Sequence, residues 1–274
     1  MASPNQITVK QLGRLIGTPQ APVVVDLRVP EDFDEDPRLI PGAFRHPFRE
    51  AEALANVAAG QTMVVYCQKG LKISEGAAAI LRAAGRMALA LEGGQFGWRD
   101  AGLPLVPAAM LPARGADGRT TWVTRHRPKV DRIACPWLIR RFVDPRARFL
   151  FVAPATVGDV ADKFEATPFD VPDSYWSHSG DRCTFDAMVT GFGLETPALT
   201  RLAELVRGAD TDRHDLAPEV AGLLAASLGL SRMYRDDLAQ LEAGMLLYDA
   251  FYRWARDATD ESHNWPAEHV GRSA

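Results

Sequence analysis

Residues 63–74 of the chain read Met63-Val64-Val65-Tyr66-Cys67-Gln68-Lys69-Gly70-Leu71-Lys72-Ile73-Ser74 and indicate a strand, a loop and a helix in succession. The first four of these residues are apolar, as in a buried parallel strand, and a helical pattern covers residues 74–84. We expect Ser74 to cap this helix and Gly85 to end it. Cys67 is therefore predicted in the loop between a strand and a helix.

Short β-branched runs alternate with helical patterns around this stretch. The pattern predicts further strands at residues 23–27, 43–46 and 87–91, and helices at residues 8–16 and 48–58, the first capped by Thr8. Alternating strands and helices indicate an α/β domain in which helices cover both faces of a parallel sheet. We place this domain at residues 6–107.

A segment rich in proline, glycine and alanine, residues 108–120, is predicted to be a linker. A second domain follows at residues 121–258, with a tail at 259–274. We expect it to be mainly α-helical, of the α+β class, because a helical period dominates it. Pro136 predicts a late start or a kink in its first helix. The expected elements are a strand at 148–152 and helices at 131–142, 184–192, 197–206, 218–227 and 233–254.

The composition is that of an ordinary globular protein: of 274 residues, 47% are hydrophobic and 24% are charged. No run approaches the roughly 18 apolar residues of a membrane span, and the first six residues lack the segments of a secretory signal. Three cysteines are too few and too far apart for a disulfide framework. We therefore expect a cytoplasmic protein with free thiols and no membrane partner.

The net charge of −4 hides a basic segment, residues 119–148, whose own net charge is +7. A basic segment inside an acidic chain indicates either a site for a small anion or internal ion pairs with the acidic remainder. Nucleic acid is not expected as a partner, because the acidic remainder would repel a phosphate backbone.

Cys67 has the surroundings of a nucleophile. Ligands bind beyond the carboxyl ends of parallel strands, where loop N–H groups and a helix N-terminus stabilise a thiolate. Such a thiolate would take a sulfane sulfur and become a persulfide. A buried structural thiol is the alternative, and for Arg28 a structural ion pair with Asp26 is the favoured interpretation. The candidate substrate-binding residues are Gln68, Lys69, Gly70, Leu71, Lys72, Ser74 and Arg28.

This region resembles the rhodanese family from about Ile7 to Val106. The resemblance rests on Val25-Asp26-Leu27-Arg28, Glu31-Asp32-Phe33, Ile40-Pro41-Gly42-Ala43, Val65-Tyr66-Cys67, Gly70, Ser74, Leu91-Glu92-Gly93-Gly94, Trp98 and Gly102-Leu103-Pro104. It implies a sulfurtransferase with thiosulfate or a persulfide as donor, Cys67 as carrier, a thiol acceptor and no cofactor for sulfur transfer. Lys72 stands where many members have arginine, and Ile73 precedes Ser74, so other donors stay open. Arsenate reduction or phosphatase chemistry is a minor alternative.

The basic segment holds a candidate anion or thiol site. Arg125, Arg127 and Lys129 alternate as on one face of a strand, and Cys135 lies one helical turn from Arg132. Cys135 is either a thiol activated by Arg132 or a small residue in the core. The candidate residues are Arg125, Lys129, Arg132, Cys135, Arg140 and Arg141.

A metal site is the second candidate in this half. His178 and Cys183 flank a glycine turn, and Asp210 lies later in the chain. Imidazole, thiolate and carboxylate suit zinc, iron or manganese. The alternative for His178 is a hydrogen-bonded loop histidine.

From about Thr121 to Arg256, the chain resembles the C-terminal domain of the chromate-resistance protein family. The matching residues are 129–142, Pro168-Phe169-Asp170, His178, Gly180, Cys183-Thr184-Phe185, Gly208-Ala209-Asp210, Gly244 and Tyr248-Asp249-Ala250. The resemblance implies resistance to chromate or oxidative stress. The leading hypothesis is a sulfurtransferase that hands sulfur to an acceptor thiol, with Cys135 or Cys183 as acceptors within the chain. The alternative is a sensor of chromate, another oxyanion or a metal, in which the rhodanese domain is auxiliary.

Overall fold

A computed structural model describes residues 4–261 of the chain. The first half contains a five-stranded, fully parallel sheet in the order β1-β6-β5-β2-β4, with β5 at its centre. Two further strands, β3 and β7, form an antiparallel pair. β7 is the last strand of the first half. The seven strands are β1 (Gln6–Ile7), β2 (Val23–Asp26), β3 (Arg38–Leu39), β4 (Phe44–Arg45), β5 (Met63–Tyr66), β6 (Ala88–Leu91) and β7 (Val106–Pro107).

Helices connect these strands, as the alternating pattern predicts. Thr8 caps the first helix as predicted, and its side chain and that of Gln11 form a reciprocal capping box. The predicted helix at 48–58 is a 3₁₀ helix at Phe48–Asn56. The α-helices are α1 (Val9–Leu15), α2 (Pro30–Glu35), α3 (Lys72–Ala83) and α4 (Gly94–Asp100), and a 3₁₀ turn at Ala108–Met110 follows β7.

The second half is mainly helical and has a small parallel sheet in the order β10-β8-β9. Of these three strands, β9 agrees with the prediction and β10 was not predicted. The alternating basic residues predict an extended strand from Arg125 to Lys129, but β8 ends at Arg125. The predicted helix at 233–254 begins at Asp237, where Asp236 caps it. The elements are β8 (Thr121–Arg125), α5 (Asp131–Leu138), β9 (Arg148–Val152), α6 (Val157–Phe164), β10 (Thr167–Pro168), α7 (Thr184–Gly191), α8 (Pro197–Asp210), α9 (Val220–Met233) and α10 (Asp237–Asp257), with a 3₁₀ turn at Pro154–Thr156.

The predicted helix at 131–142 is not α-helical throughout. It begins at Asp131 without delay, but after Leu138 it widens into a π-helical turn at Ile139–Val143. Pro136 lies inside α5 and has no N–H to donate to the carbonyl of Arg132, one turn earlier in the helix. The wider turn carries Phe142.

Phe142 joins the two halves of the molecule. Its ring occupies the space where Gly17, in the first half, has no side chain, and it contacts Tyr252 edge-on. The Phe142 carbonyl accepts a 2.6 Å hydrogen bond from the N–H of Gly42, and Arg256 donates to the Arg14 carbonyl. One continuous set of buried apolar side chains runs from the first half into the second.

Among residues 4–261, no helix combines the length and the apolar character needed to cross a bilayer. The predicted tail at 259–274 lies outside the described residues from residue 262 onward.

The close contact between α5 and α10 yields a test of the packing. A Cβ added at Gly244 would lie 2.5 Å from Ile133 Cγ2, a stiff β-branched side chain within α5. We expect Gly244→Ala to lower the free energy of unfolding by about 1–3 kcal/mol, despite the better helix propensity of alanine. Gly229 lies within α9 with open space around it. Gly229→Ala should raise stability by up to about 1 kcal/mol. Urea unfolding measures the free energy of unfolding of both variants. Equal changes in the two would contradict the close contact between Gly244 and Ile133.

Candidate functional site

Cys67 follows the central strand β5 directly and lies before the N-terminus of the twelve-residue helix α3. The thiol is buried, and its Sγ lies 3.4 Å from Ser74 Oγ. The Ser74 hydroxyl can donate to this sulfur or to the Leu71 carbonyl, 3.1 Å away. Ser74 is therefore not the helix cap that we predicted, because α3 begins two residues earlier at Lys72; its hydroxyl faces the sulfur instead.

The backbone of the cysteine loop is polarised. The Cys67 and Gln68 carbonyls accept 3.0 Å hydrogen bonds from Gln95 and Phe96, at the start of α4. Within residues 4–261, the N–H groups of Gln68, Lys69 and Gly70 have no acceptor. Because the carbonyls are bound and these donors are free, the loop offers positive dipoles to an anion, as do the first N–H groups of α3.

Two glycines set the shape of this loop. Gly70 has a φ of +70°, and a Cβ there would meet the backbone N of Gly94 at 2.5 Å. Gly94 in turn has a φ of +57°, and a Cβ there would collide with the Cys67 carbonyl and the Gly70 nitrogen. Each glycine leaves the space that the backbone of the other occupies.

The other predicted loop residues differ in what they can do. Gln68 donates a 2.7 Å hydrogen bond to Glu35, which ties the loop to α2. Lys69, Leu71 and Lys72 are exposed, and neither lysine forms an ion pair within the described chain. The two ammonium groups are therefore available to a soluble anion.

Arg28 does not belong to a substrate site. Its Nη2 lies 2.7 Å from Asp26 Oδ2, and both side chains are fully buried. It also donates to the carbonyls of Asp36 and Arg38. The favoured interpretation, an ion pair, matches this geometry, and a guanidinium without solvent contact cannot receive a donor molecule.

The six candidates of the second half do not form one site. Arg125 and Arg132 bind Asp170, whereas Arg140 binds Glu242 and Arg141 binds Asp249 through two 2.7 Å hydrogen bonds. Lys129 is exposed and Cys135 is buried. The basic segment is thus neutralised mainly by internal ion pairs, one of the two expected outcomes.

Neither thiol of the second half is activated. Burial, and then the nearby Asp131, raises the pKa of the Cys135 thiol well above its usual value, which contradicts activation by Arg132. Cys183 is buried, and its pKa is raised by burial and by the same carboxylate. Cys183 donates a 3.4 Å hydrogen bond to Asp186, and it is not among the residues gathered around His178.

His178 and Asp210 do come together, in a cluster that the sequence only partly indicated. His178 Nε2 lies 3.3 Å from Asp210, 3.3 Å from Asp170 and 3.6 Å from Asp131. Asp131 and Asp170 are not among the metal ligands predicted from the sequence. Both occur in the stretches that carry the family resemblance, and that was the available signal. Burial and the neighbouring carboxylates raise the pKa values of Asp131 and Asp210.

Comparison with known proteins finds a family match for each half of the chain. The parallel sheet with a cysteine loop after its central strand defines the first half as a rhodanese-like domain, and residues 8–101 match the model of that family. Residues 122–255 match the family model "ChrB, C-terminal domain". The chain therefore combines a rhodanese-like domain with a ChrB C-terminal domain.

One curated relative is the protein ChrB of Cupriavidus metallidurans, 38% identical over 133 residues. The match spans 48% of this chain and 39% of that protein. Among solved structures, a possible tyrosine phosphatase of unknown function from Rhodopseudomonas palustris is 27% identical, covering 37% of this chain and 83% of its own, with a TM-score of 0.31. A rhodanese-related protein from Thermoplasma volcanium is 24% identical, covering 37% and 97%, with a TM-score of 0.31.

The role of Arg28 is tested by its removal. Arg28→Ala leaves the Asp26 carboxylate buried without its partner, and we expect a loss of about 3–5 kcal/mol in the free energy of unfolding. Arg45 lies 4.0 Å from the same carboxylate but is 38% exposed, so Arg45→Ala should cost about 1 kcal/mol or less. Chemical unfolding measures both. An Arg28→Ala protein of unchanged stability would contradict a structural role for this ion pair.

The three thiols are expected to differ in reactivity. At neutral pH, iodoacetamide should label Cys67 in the native protein, because its loop offers free N–H groups to an anion. Cys135 and Cys183 should stay unmodified, because burial and nearby carboxylates raise their thiol pKa values. Denatured protein should be labelled at all three positions. Peptide mass spectrometry measures the labelling, with native Cys67→Ser as the unlabelled control. Rapid native labelling of Cys135 would overturn the assignment.

Proposed function

We propose that the first domain is a sulfurtransferase that carries sulfur as a persulfide on Cys67. The observation that carries the proposal is the set of free N–H groups of Gln68, Lys69 and Gly70 in the loop between Cys67 and the start of α3. Such donors stabilise the thiolate before transfer and the anionic terminal sulfur after it. Lys69 and Lys72 attract an anionic donor to the loop.

The reaction has two displacement steps. The Cys67 thiolate attacks the outer sulfur of a donor such as thiosulfate, a new S–S bond forms, and sulfite leaves with the electron pair of the broken bond. A thiolate acceptor then attacks the terminal sulfur and releases the Cys67 thiolate. Ser74 assists by donating its hydroxyl hydrogen to the sulfur anion. Neither step requires a cofactor.

The acceptor is a separate thiol compound or protein. Cys135 and Cys183 are buried, and burial raises the pKa values of both thiols, so sulfur transfer to either of them is not part of the proposal. Three free cysteines fit a reducing cytoplasm. With the ChrB domain, the proposed role is resistance to chromate or oxidative stress, in which reduced sulfur repairs oxidised thiols.

The alternative function, a sensor that binds an oxyanion through the basic segment, has less support. Arg125, Arg132, Arg140 and Arg141 are each held by a carboxylate. An oxyanion would have to displace these ion pairs. The same pairing reduces the positive charge available to nucleic acid.

Sulfur transfer to cyanide, from thiosulfate and from a mercaptan donor, tests the proposal. We expect Cys67→Ser to reduce turnover to background with either donor, and the wild type incubated with donor alone to gain the mass of one sulfur atom on the peptide that contains Cys67. Cys135→Ala is the matched control and should retain turnover. Equal turnover in Cys67→Ser, or none in the wild type with either donor, would reject the proposal.

A further inference from the structure

Four side chains from distant parts of the second domain converge on one point. Asp131 begins α5, Asp170 follows β10, His178 lies in the loop before α7, and Asp210 ends α8. One ligand atom from each of Asp131, Asp170 and His178 lies within 4.8 Å of the other two, and Asp210 Oδ2 lies 3.3 Å from His178 Nε2.

Asp131 is unlike the other buried aspartates. Six aspartates are buried in the described chain, and five of them pair with an arginine: Asp26, Asp144, Asp170, Asp186 and Asp249. Asp131, only 1% exposed, has no arginine or lysine partner among residues 4–261. A buried carboxylate without a cation is costly, so the charge of Asp131 calls for a positive partner.

His178 alone does not meet this need. Its Nε2 can carry one proton, which can be donated to one acceptor, yet three carboxylates lie at 3.3–3.6 Å from it. These distances exceed those of a good hydrogen bond. The three carboxylates and the guanidiniums of Arg125 and Arg132 leave an excess of one negative charge when the imidazole is neutral.

The ligand atoms are held in place by other donors. Asp131 accepts hydrogen bonds of 2.7 and 3.1 Å from the N–H groups of Thr184 and Phe185, at the start of α7. Asp170 Oδ1 accepts from Thr184 Oγ1, while the two arginines bind Oδ2. Outer donors of this kind orient carboxylates toward a metal. His178 is 41% exposed, which gives an ion a route from solvent.

We propose that Asp131, Asp170, His178 and Asp210 bind one divalent transition-metal ion. Carboxylates with a single imidazole suit ions from Mn²⁺ to Zn²⁺ better than Cu⁺, which prefers sulfur. The buried thiols of Cys135 and Cys183 take no part. The site is separate from the cysteine loop, so the inference goes beyond sulfur transfer and does not depend on it.

Titration calorimetry on the full chain, stripped with a chelator and dialysed, tests the site with Mn²⁺ and Zn²⁺ separately. We expect one ion of at least one of these metals per wild-type chain, and at least about tenfold weaker binding in His178→Ala and in Asp210→Asn. His214→Ala is the matched control, because that exposed histidine pairs with Asp212 outside the cluster. It should bind as the wild type does.

Thermal unfolding gives an independent readout. The bound ion should raise the midpoint of the wild type and of His214→Ala by the same amount, and should raise that of His178→Ala less. His178 is 41% exposed, so its replacement should disturb folding less than the replacement of a buried aspartate would. Absence of stoichiometric binding of either metal to the wild type would overturn the proposal, as would undiminished binding in both His178→Ala and Asp210→Asn.

Discussion

Buried aspartates must be supplied with donors, and this requirement organises the molecule. A carboxylate that loses water is stable only when hydrogen bonds and an opposite charge replace it. In the first half, Asp26 obtains them from Arg28, which also holds the carbonyls of Asp36 and Arg38. In the second half, Asp249 of α10 obtains them from Trp137 and Arg141. The pair of Asp26 and Arg28 thereby ties the end of β2 to the segment that runs from the end of α2 into β3. Asp249 ties α10 to α5 and to the π turn that follows it.

The α/β fold of the first half could be predicted because local pattern and global fold agree there. A strand such as Met63–Tyr66 is buried on both faces, so its apolar run is read directly from the sequence. The helical second half followed from its 3.6-residue period. Short elements such as β10 were missed, because two residues do not carry a period. The π turn after Pro136 was also missed, since only the tertiary position of Phe142 shows where the helix widens.

The two candidate sites were unequally predictable for a physical reason. Cys67 lies next to the strand and helix that position it, so a contiguous stretch of sequence contains most of its environment. The His178 cluster is assembled from four segments, and no spacing rule joins residue 131 to residue 210. Counting charges could not tell which arginines form internal ion pairs and which are free to bind an anion, because the sequence does not show their partners.

The paired glycines of the cysteine loop have a consequence for how this protein can change over generations. The backbone of Gly70 fills the space that a side chain at Gly94 would need, and the reverse also holds. Any side chain introduced at either position would therefore clash with backbone atoms. Single substitutions at these two positions therefore cannot change the shape of the loop in small steps. Leu71 and Lys72, which point into solvent, carry no such restriction. A lineage can thus adjust the charge and bulk that meet an incoming molecule, while the geometry around the sulfur atom is inherited unchanged.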